Sequence, residues 1–508
     1  MPRRFTTLAG ALFLVLLFTT QTVAGVLDVR LEKRLQLMKP GEEITVIVMM
    51  KEQADIEAID ILMKAEKASR QLRHKMVVEE LRDVALSTQS SILNYLYQKK
   101  NEGKVTGYTP HWIANLVVVL TGKEIIAELA QRDDVDIIYE NPTVSLIEPV
   151  DVRPTVGDVT SGITPGVTAI KADSVWSELG VTGAGTLVAN LDTGVDGNHP
   201  ALADRWRGTE PGVDPSEAWL DLIGGSPNFP TDTYGHGTHV MGTITGLGAS
   251  TGDTIGVAPG ALWIACNAIN QSTGPEFDSD VVAAYEWFAD PDGNPDTVDD
   301  VPDVVQNSWG ITEWFYSDPP YTDCDDRWWE VLDNCEAAGV VITWSAGNEG
   351  PSAESLRSPA DRATTDYNSY SVGAVDATNY GYPYPIASWS SRGPTGCDHV
   401  TIKPEVCAPG VDVYSSYPGG SYTYMSGTSM AGPHVAGVIA LMREIDPNLP
   451  VDEAKDILMR TAHDFGDTGE DNTYGMGFID ALAACNEVGR DEIRGLVRNS
   501  TTGNPIDS

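Results

Sequence analysis

Positive charge is scarce in this chain. Its 508 residues include 33 lysines and arginines against 73 aspartates and glutamates, a net charge of −40. A surface this acidic repels nucleic acid and anionic lipid heads, which argues against both as partners. The imbalance is uneven. Residues 1–148 carry 18 basic and 20 acidic side chains, so nearly all the negative charge lies beyond them. Long apolar runs are also lacking. The run at residues 8–18 is too short to cross a bilayer comfortably, and no other segment is long enough to do so. Cysteine is sparse. Cys266, Cys324, Cys335, Cys397, Cys407 and Cys485 include no C-x-x-C, which argues against a structural zinc site. What is present is 42% hydrophobic and 21% charged residues, enough for a large packed core, in a length that implies two or three domains.

The apolar run has the flanks of a secretory signal. Arg3 and Arg4 precede it, and Thr22-Val23-Ala24 supplies small residues for cleavage near Ala24. Residues 1–24 therefore read as a signal peptide, and the protein as secreted and without a membrane anchor in this chain. Export permits disulfides. Short separations favour Cys324–Cys335 and Cys397–Cys407, with Cys266 a buried thiol in the run Leu262-Trp263-Ile264-Ala265.

Residues 28–148 read as a small α+β domain. Strands are expected at 44–50, 111–120 and 135–139, one or two long helices over 56–100, and a short helix at 124–131. Residues 149–166, rich in Pro, Gly, Asp and Thr, read as a linker open to proteolysis. From 167 to 487 short apolar runs (186–191, 304–306, 340–343, 372–375) alternate with helical stretches, the most apolar at 431–445. That alternation predicts an α/β fold with a mainly parallel sheet covered on both faces. Residues 492–508 read as the start of a C-terminal β-sandwich module that the sequence does not complete.

Three glycine-rich motifs each present a side chain of catalytic type. Val188-Ala189-Asn190-Leu191-Asp192-Thr193-Gly194 delivers Asp192 at the C-terminal end of a strand, where open α/β sheets place their sites. Gly235-His236-Gly237-Thr238-His239 flanks His236 with glycine. Ser426-Gly427-Thr428-Ser429-Met430-Ala431-Gly432 sets Ser429 where a loop enters an apolar helix, beside free N–H groups. A serine hydroxyl becomes nucleophilic when an imidazole takes its proton and a carboxylate orients that imidazole. His239 forms H-x-x-H with His236 but without the Glu of H-E-x-x-H, and it reads as a packed helix residue, as does His434.

With these motifs, residues 180–486 resemble the catalytic domain of the subtilases (peptidase family S8), with details of bacillopeptidase F-like members. Residues 28–148 resemble the family's inhibitor-type propeptide, through Asn115-Leu116-Val117-Val118-Val119-Leu120 and the run to Asn141. The resemblance implies a subtilisin-like serine endopeptidase made as a zymogen. Asp192, His236 and Ser429 match the triad, and Asn348 in Ser345-Ala346-Gly347-Asn348 matches the oxyanion-hole asparagine. Ser308, Trp309, Gly310, Ala346 and Gly347 match the substrate-binding stretches, with Trp309 and Glu349 at the primary pocket. The implied partners are protein substrates and the chain's own propeptide as intramolecular inhibitor. Gly432 departs from the family's usual Ala, Thr or Ser and should weaken the helix start by about 0.5–1 kcal/mol.

No cofactor is needed for such chemistry, but structural Ca²⁺ is a further expectation. Asp290, Asp292, Asn294 and Asp296 lie close together around a glycine, in a spacing unlike an EF-hand, and read either as a calcium loop or as a solvated acidic loop. Two other functional classes compete. A silent binding protein with this fold would be expected to lack a triad residue, and none is missing. An α/β-hydrolase esterase predicts G-x-S-x-G and the order Ser, Asp, His, and neither is found at Ser429.

Overall fold

The computed structural model describes residues 25–140, 145–154, 162–224, 226, 228–248, 254–269, 277–311, 324–365 and 367–494. The expected signal peptide lies outside these residues. So does the expected C-terminal module from residue 495 onward.

The N-terminal unit is a five-stranded sheet in the spatial order β1 (Val26–Leu27), β5 (Val135–Glu140), β2 (Glu43–Met50), β4 (Leu116–Gly122), β3 (Val105–His111). Its helices are α1 (Val29–Leu37), α2 (Ile56–Glu66), α3 (Arg70–Thr88), α4 (Ser90–Asn101) and α5 (Lys123–Leu129). Seven of the eight residues of β2 are buried, because both faces of the sheet are covered. Val46 and Val48 pack in a core with Leu31, Ile92, Leu96 and Ile126. Ile47 and Met49 join a larger core with Val77 and Leu81 of α3 that continues into the rest of the molecule.

Two expectations for this unit need correction. The single strand at 111–120 is two strands joined by a turn at 112–115, where Asn115 takes a left-handed backbone (φ 39°). Asn115 holds that turn by donating through Nδ2 to Glu52 O and Thr88 Oγ1. The helical stretch 56–100 is three helices. Lys67 breaks it with a left-handed cap, and Ser69 starts α3 afresh by accepting from Leu72 N.

Beyond the N-terminal unit, β6 (Ser145–Leu146), β7 (Asp151–Pro154) and the short helices α6 (Pro165–Ala169) and α7 (Ala172–Ser174) lead into a seven-stranded parallel sheet. Its strands are β8 (Leu187–Asp192), β9 (Trp219–Asp221), β10 (Leu262–Asn267), β11 (Val304–Asn307), β13 (Val341–Ser345), β14 (Tyr370–Val375) and β15 (Val406–Pro409), in the spatial order β15-β14-β13-β11-β8-β10-β9. Every residue of β8, β11, β13, β14 and β15 is buried, as a parallel sheet covered on both faces requires. Helices α8 (His236–Thr245), α9 (Phe277–Ala289), α10 (Trp329–Ala337), α11 (Thr428–Ile445), α12 (Val451–Arg460) and α13 (Ala481–Arg494) surround it, and α11 crosses β11, β13, β14 and β15. The short strand β12 (Trp309–Gly310) and the hairpin β16 (Val413–Tyr417) and β17 (Ser421–Ser426) complete the elements.

Three further corrections follow. The expected linker at 149–166 is partly structured: β7 adds to β17 as the third strand of a small antiparallel sheet, held by main-chain bonds that composition does not encode. Residues 493–494, expected to open a strand, continue α13. The disulfide is Cys324–Cys397, not either short-range pair. Cys335 is buried on α10 and Cys407 is buried in β15, so each nearby partner is held in the core while the two loop cysteines meet. Cys266 is a buried thiol in β10, as expected.

Candidate active site

Asp192 ends β8 and His236 begins α8, and the two side chains meet in the interior. His236 Nδ1 lies 2.7 Å from Asp192 Oδ1, with both residues fully buried. A carboxylate only accepts, so Nδ1 carries the proton and Nε2 presents a lone pair. Burial alone would push the imidazolium pKa down. The Asp192 carboxylate outweighs burial, with Glu148 and Asp232 adding, and the ring sits above its ordinary value. The close approach needs Gly237: a Cβ there would fall 2.1 Å from Gly194 O and 3.1 Å from Asp192 Cβ. Sequence reasoning missed Asp232, which organises this corner. Its carboxylate accepts from Tyr234 N, Gly235 N, Thr238 N, Thr238 Oγ1 and Thr193 Oγ1. The signal was an Asp one turn ahead of the Gly-His pair.

Ser429 lies in the first turn of α11, fully buried. Asn348 follows β13 and is locked in one orientation: its Oδ1 accepts from Thr428 N at 2.9 Å and Thr428 Oγ1 at 3.0 Å, so its Nδ2 points at the site.

The chain itself occupies this site. β6 pairs antiparallel with β12, Leu146 opposite Trp309 and Ser145 opposite Gly310. Ile147 N donates to Ser308 O at 2.9 Å. Ser429 Oγ then donates to Ile147 O and Asn348 Nδ2 to Glu148 O, both at 2.9 Å. Past the site, Val150 N donates to Ser426 O and β7 pairs with β17. Tyr234 OH donates to the Glu148 carboxylate at 2.6 Å. A peptide therefore lies extended across a serine, an Asp–His pair and an amide donor, paired with the protein's own strands on both sides. His236 Nε2 makes no hydrogen bond among the described residues.

The profile of the Subtilase family matches residues 183–477, which hold all four side chains.

The chain belongs to the subtilase family.

Bacillopeptidase F of Bacillus subtilis (strain 168) is 34% identical over 486 residues, which cover 89% of this chain and 32% of that protein, so the chain spans about a third of that relative's length. Subtilisin E of the same organism is 32% identical, over 68% of this chain and 77% of its own. Fervidolysin from Fervidobacterium pennivorans, a keratinolytic enzyme related to subtilisin, shares the fold with a TM-score of 0.61 at 24% identity, over 91% of this chain and 63% of its own. No helix among the described residues is long and apolar enough to cross a membrane.

Within the subtilase frame, the remaining expected site residues are placed as follows. Ser308 and Gly310 pair with the threaded segment through their backbones, as does Trp309. The Trp309 ring is buried and packs edge-on against Trp328 and Trp344. Ala346 and Gly347 carry Asn348 and bond within the domain, Gly347 N to Thr428 Oγ1 and Ala346 N to Val372 O. Glu349 is held in an ion pair with Arg357, whose Nη1 donates to Leu146 O at 3.2 Å, so Glu349 acts on the bound segment through Arg357. His239 and His434 are buried with hydrogen bonds to Val413 O and Met430 O, and burial drives their pKa values down to about 3 and about 4. Gly432 is explained by Gln306: a Cβ there would lie 2.3 Å from Gln306 Nε2.

The acidic loop rearranges the expected grouping. Carboxylate oxygens of Asp290, Asp292 and Asp300 come within 4.8 Å of one another. Asp296 instead pairs with Lys75, and Asn294 Oδ1 accepts from Asp296 N. Asp300, at the end of the same acidic stretch, takes their place: it lies eight residues past Asp292 and meets it when the loop closes.

Proposed function

We propose that this chain is a secreted serine endopeptidase made as a self-inhibited zymogen, in which Ser429 first cuts the chain's own peptide and then protein substrates. In that reading Ser429 Oγ attacks a carbonyl carbon while His236 Nε2 takes the hydroxyl proton. Asp192 holds the imidazolium that forms. The oxyanion receives hydrogen bonds from Asn348 Nδ2 and the Ser429 backbone N–H. Collapse breaks the C–N bond, and His236 returns its proton to the departing amine. Water, activated by the same imidazole, then releases the acyl group from Ser429. The oxyanion donor and the nucleophile rest on adjacent carbonyls, so the first cut falls at Ile147–Glu148 or Glu148–Pro149.

One observation supports the reading above all. The peptide crossing Ser429 continues from residues 25–140 and is held by strand pairing on both sides of the site, residues 145–146 with Trp309–Gly310 and residues 151–154 with β17. The N-terminal unit then acts as inhibitor by holding its C-terminal segment where a substrate would lie. The test is labelling by a fluorophosphonate probe together with casein cleavage. The processed protein is expected to take up one probe on Ser429 and to digest casein. A processed protein that neither labels nor digests would establish the competing reading, a catalytically silent binding protein.

A further inference from the structure

The loop after α9 carries a cluster of charge that the peptidase reaction does not use. Asp290, Asp292 and Asp300 bring carboxylate oxygens within 4.8 Å of one another. Asp290 is 5% exposed and Asp300 1%. Asp300 Oδ2 accepts from Asp292 N at 2.9 Å, while the buried Asp300 Oδ1 and Asp290 Oδ1 have no hydrogen-bond partner. Unpartnered buried carboxylate oxygens are costly, and three converging carboxylates are more so. Burial accordingly pushes the Asp290 and Asp300 carboxyls up to about 6.

Part of that charge is met from outside the peptidase domain. Arg82, on α3 of the N-terminal domain, pairs with Asp290 Oδ2 at 2.5 Å and donates to Gly293 O at 3.0 Å. The same helix grips the rest of the loop. Arg70 pairs with Asp303 and donates to Val301 O and Pro302 O, His74 Nε2 lies 2.8 Å from Ala289 O, and Lys75 pairs with Asp296. Arg207 of the peptidase domain adds attraction from beside Asp299, but Arg82, the guanidinium that pairs with the cluster itself, leaves when the N-terminal domain leaves.

We propose that Asp290, Asp292 and Asp300 bind a divalent cation of the calcium class, and that Arg82 occupies part of its electrostatic role while the N-terminal domain is attached. The donors are all oxygen, which suits a hard cation, with water completing the shell. Arg82 and the cation are then antagonists: the site binds its ion more tightly once the helix has gone. The second statement rests on residues 28–148 being a removable propeptide, whereas the cation site itself does not.

Calcium titration of the uncut Ser429→Ala chain, followed by calorimetry and by thermal midpoint, tests both. Calcium is expected to raise the midpoint of this parent. Asp300→Asn on the same background keeps the bond to Asp292 N and removes a buried charge. It should melt no lower than the parent without calcium, and should lose this part of the calcium gain. Asp292→Asn, at an exposed position where folding is not at risk, should weaken calcium binding as well. Ions held elsewhere are common to all variants and cancel. Arg82→Gln should tighten binding about tenfold by removing a positive charge beside the site. Equal calcium gains in the parent, Asp300→Asn and Asp292→Asn would overturn the site. Unchanged or weaker binding in Arg82→Gln would overturn the antagonism.

Discussion

His236 Nδ1 is engaged by Asp192, and in the proposed function its bare Nε2 is the nitrogen that serves Ser429. The Ser429 hydroxyl donates to Ile147 O, so on that reading it rotates toward Nε2 before it attacks. The base works only when neutral. Because the ring's pKa is raised, the proton stays on to higher pH than on an ordinary histidine, and self-cleavage should fall as pH drops through a midpoint above the ordinary value. Glu148 adds to the shift. A Glu148→Gln chain should therefore show a self-cleavage midpoint at lower pH, measured from processing rates across pH, while the profile of casein cleavage stays put once the segment has left. Asn348 is the second test at this scale. Its amide is held by Thr428 so that only the N–H side faces the carbonyl. Asn348→Ala should lower kcat about 10²–10³-fold with little change in KM, the loss typical of one oxyanion donor and a magnitude established on subtilisin itself.

At the scale of elements, glycine in the second turn of α11 looks like a weakness and is a fit. Gln306 of β11 fills the space a side chain at 432 would take. It is buried and fixed: its Nε2 donates to Asn307 O, Ser308 Oγ and Ser345 Oγ, and its Oε1 accepts from Thr343 Oγ1. Gly432→Ala should therefore destabilise by about 1–3 kcal/mol despite alanine's better helix propensity. The same change beside Gln306→Ala should be tolerated, as thermal melts of the single and double variants would reveal. This pairing explains what the sequence could and could not disclose. Asp192, His236, Asn348 and Ser429 were legible because each sits in a local motif at the end of a strand or the start of a helix. The parallel sheet was legible because buried strands read as apolar runs. Gln306 against Gly432, Asp232 beneath His236, and Asp300 beside Asp290 were not, since each joins segments that only the folded chain brings together. The disulfide failed for the same reason: nearness in sequence carries little weight against a helix and a strand that bury Cys335 and Cys407.

Across the whole molecule, two domains of unequal charge are joined by a peptide that runs through the candidate site of the second. The N-terminal domain is nearly neutral in sum, yet it directs Arg30, Lys64, Arg70, Lys75 and Arg82 at acidic groups of the other domain. Its sheet adds apolar contact, since Ile47, Met49 and Val118 belong to a core continuous with the peptidase domain. Such docking adds to the strand pairing that holds residues 145–154 in place. On the proposed function, cutting that segment is the step that separates a blocked molecule from an active one. Intact-mass spectrometry of the purified full-length chain beside its Ser429→Ala variant measures this step directly. The parent is expected to yield a fragment beginning at Glu148 or Pro149 while the variant stays whole. A variant cut at the same bond as the parent would show that Ser429 is not the nucleophile.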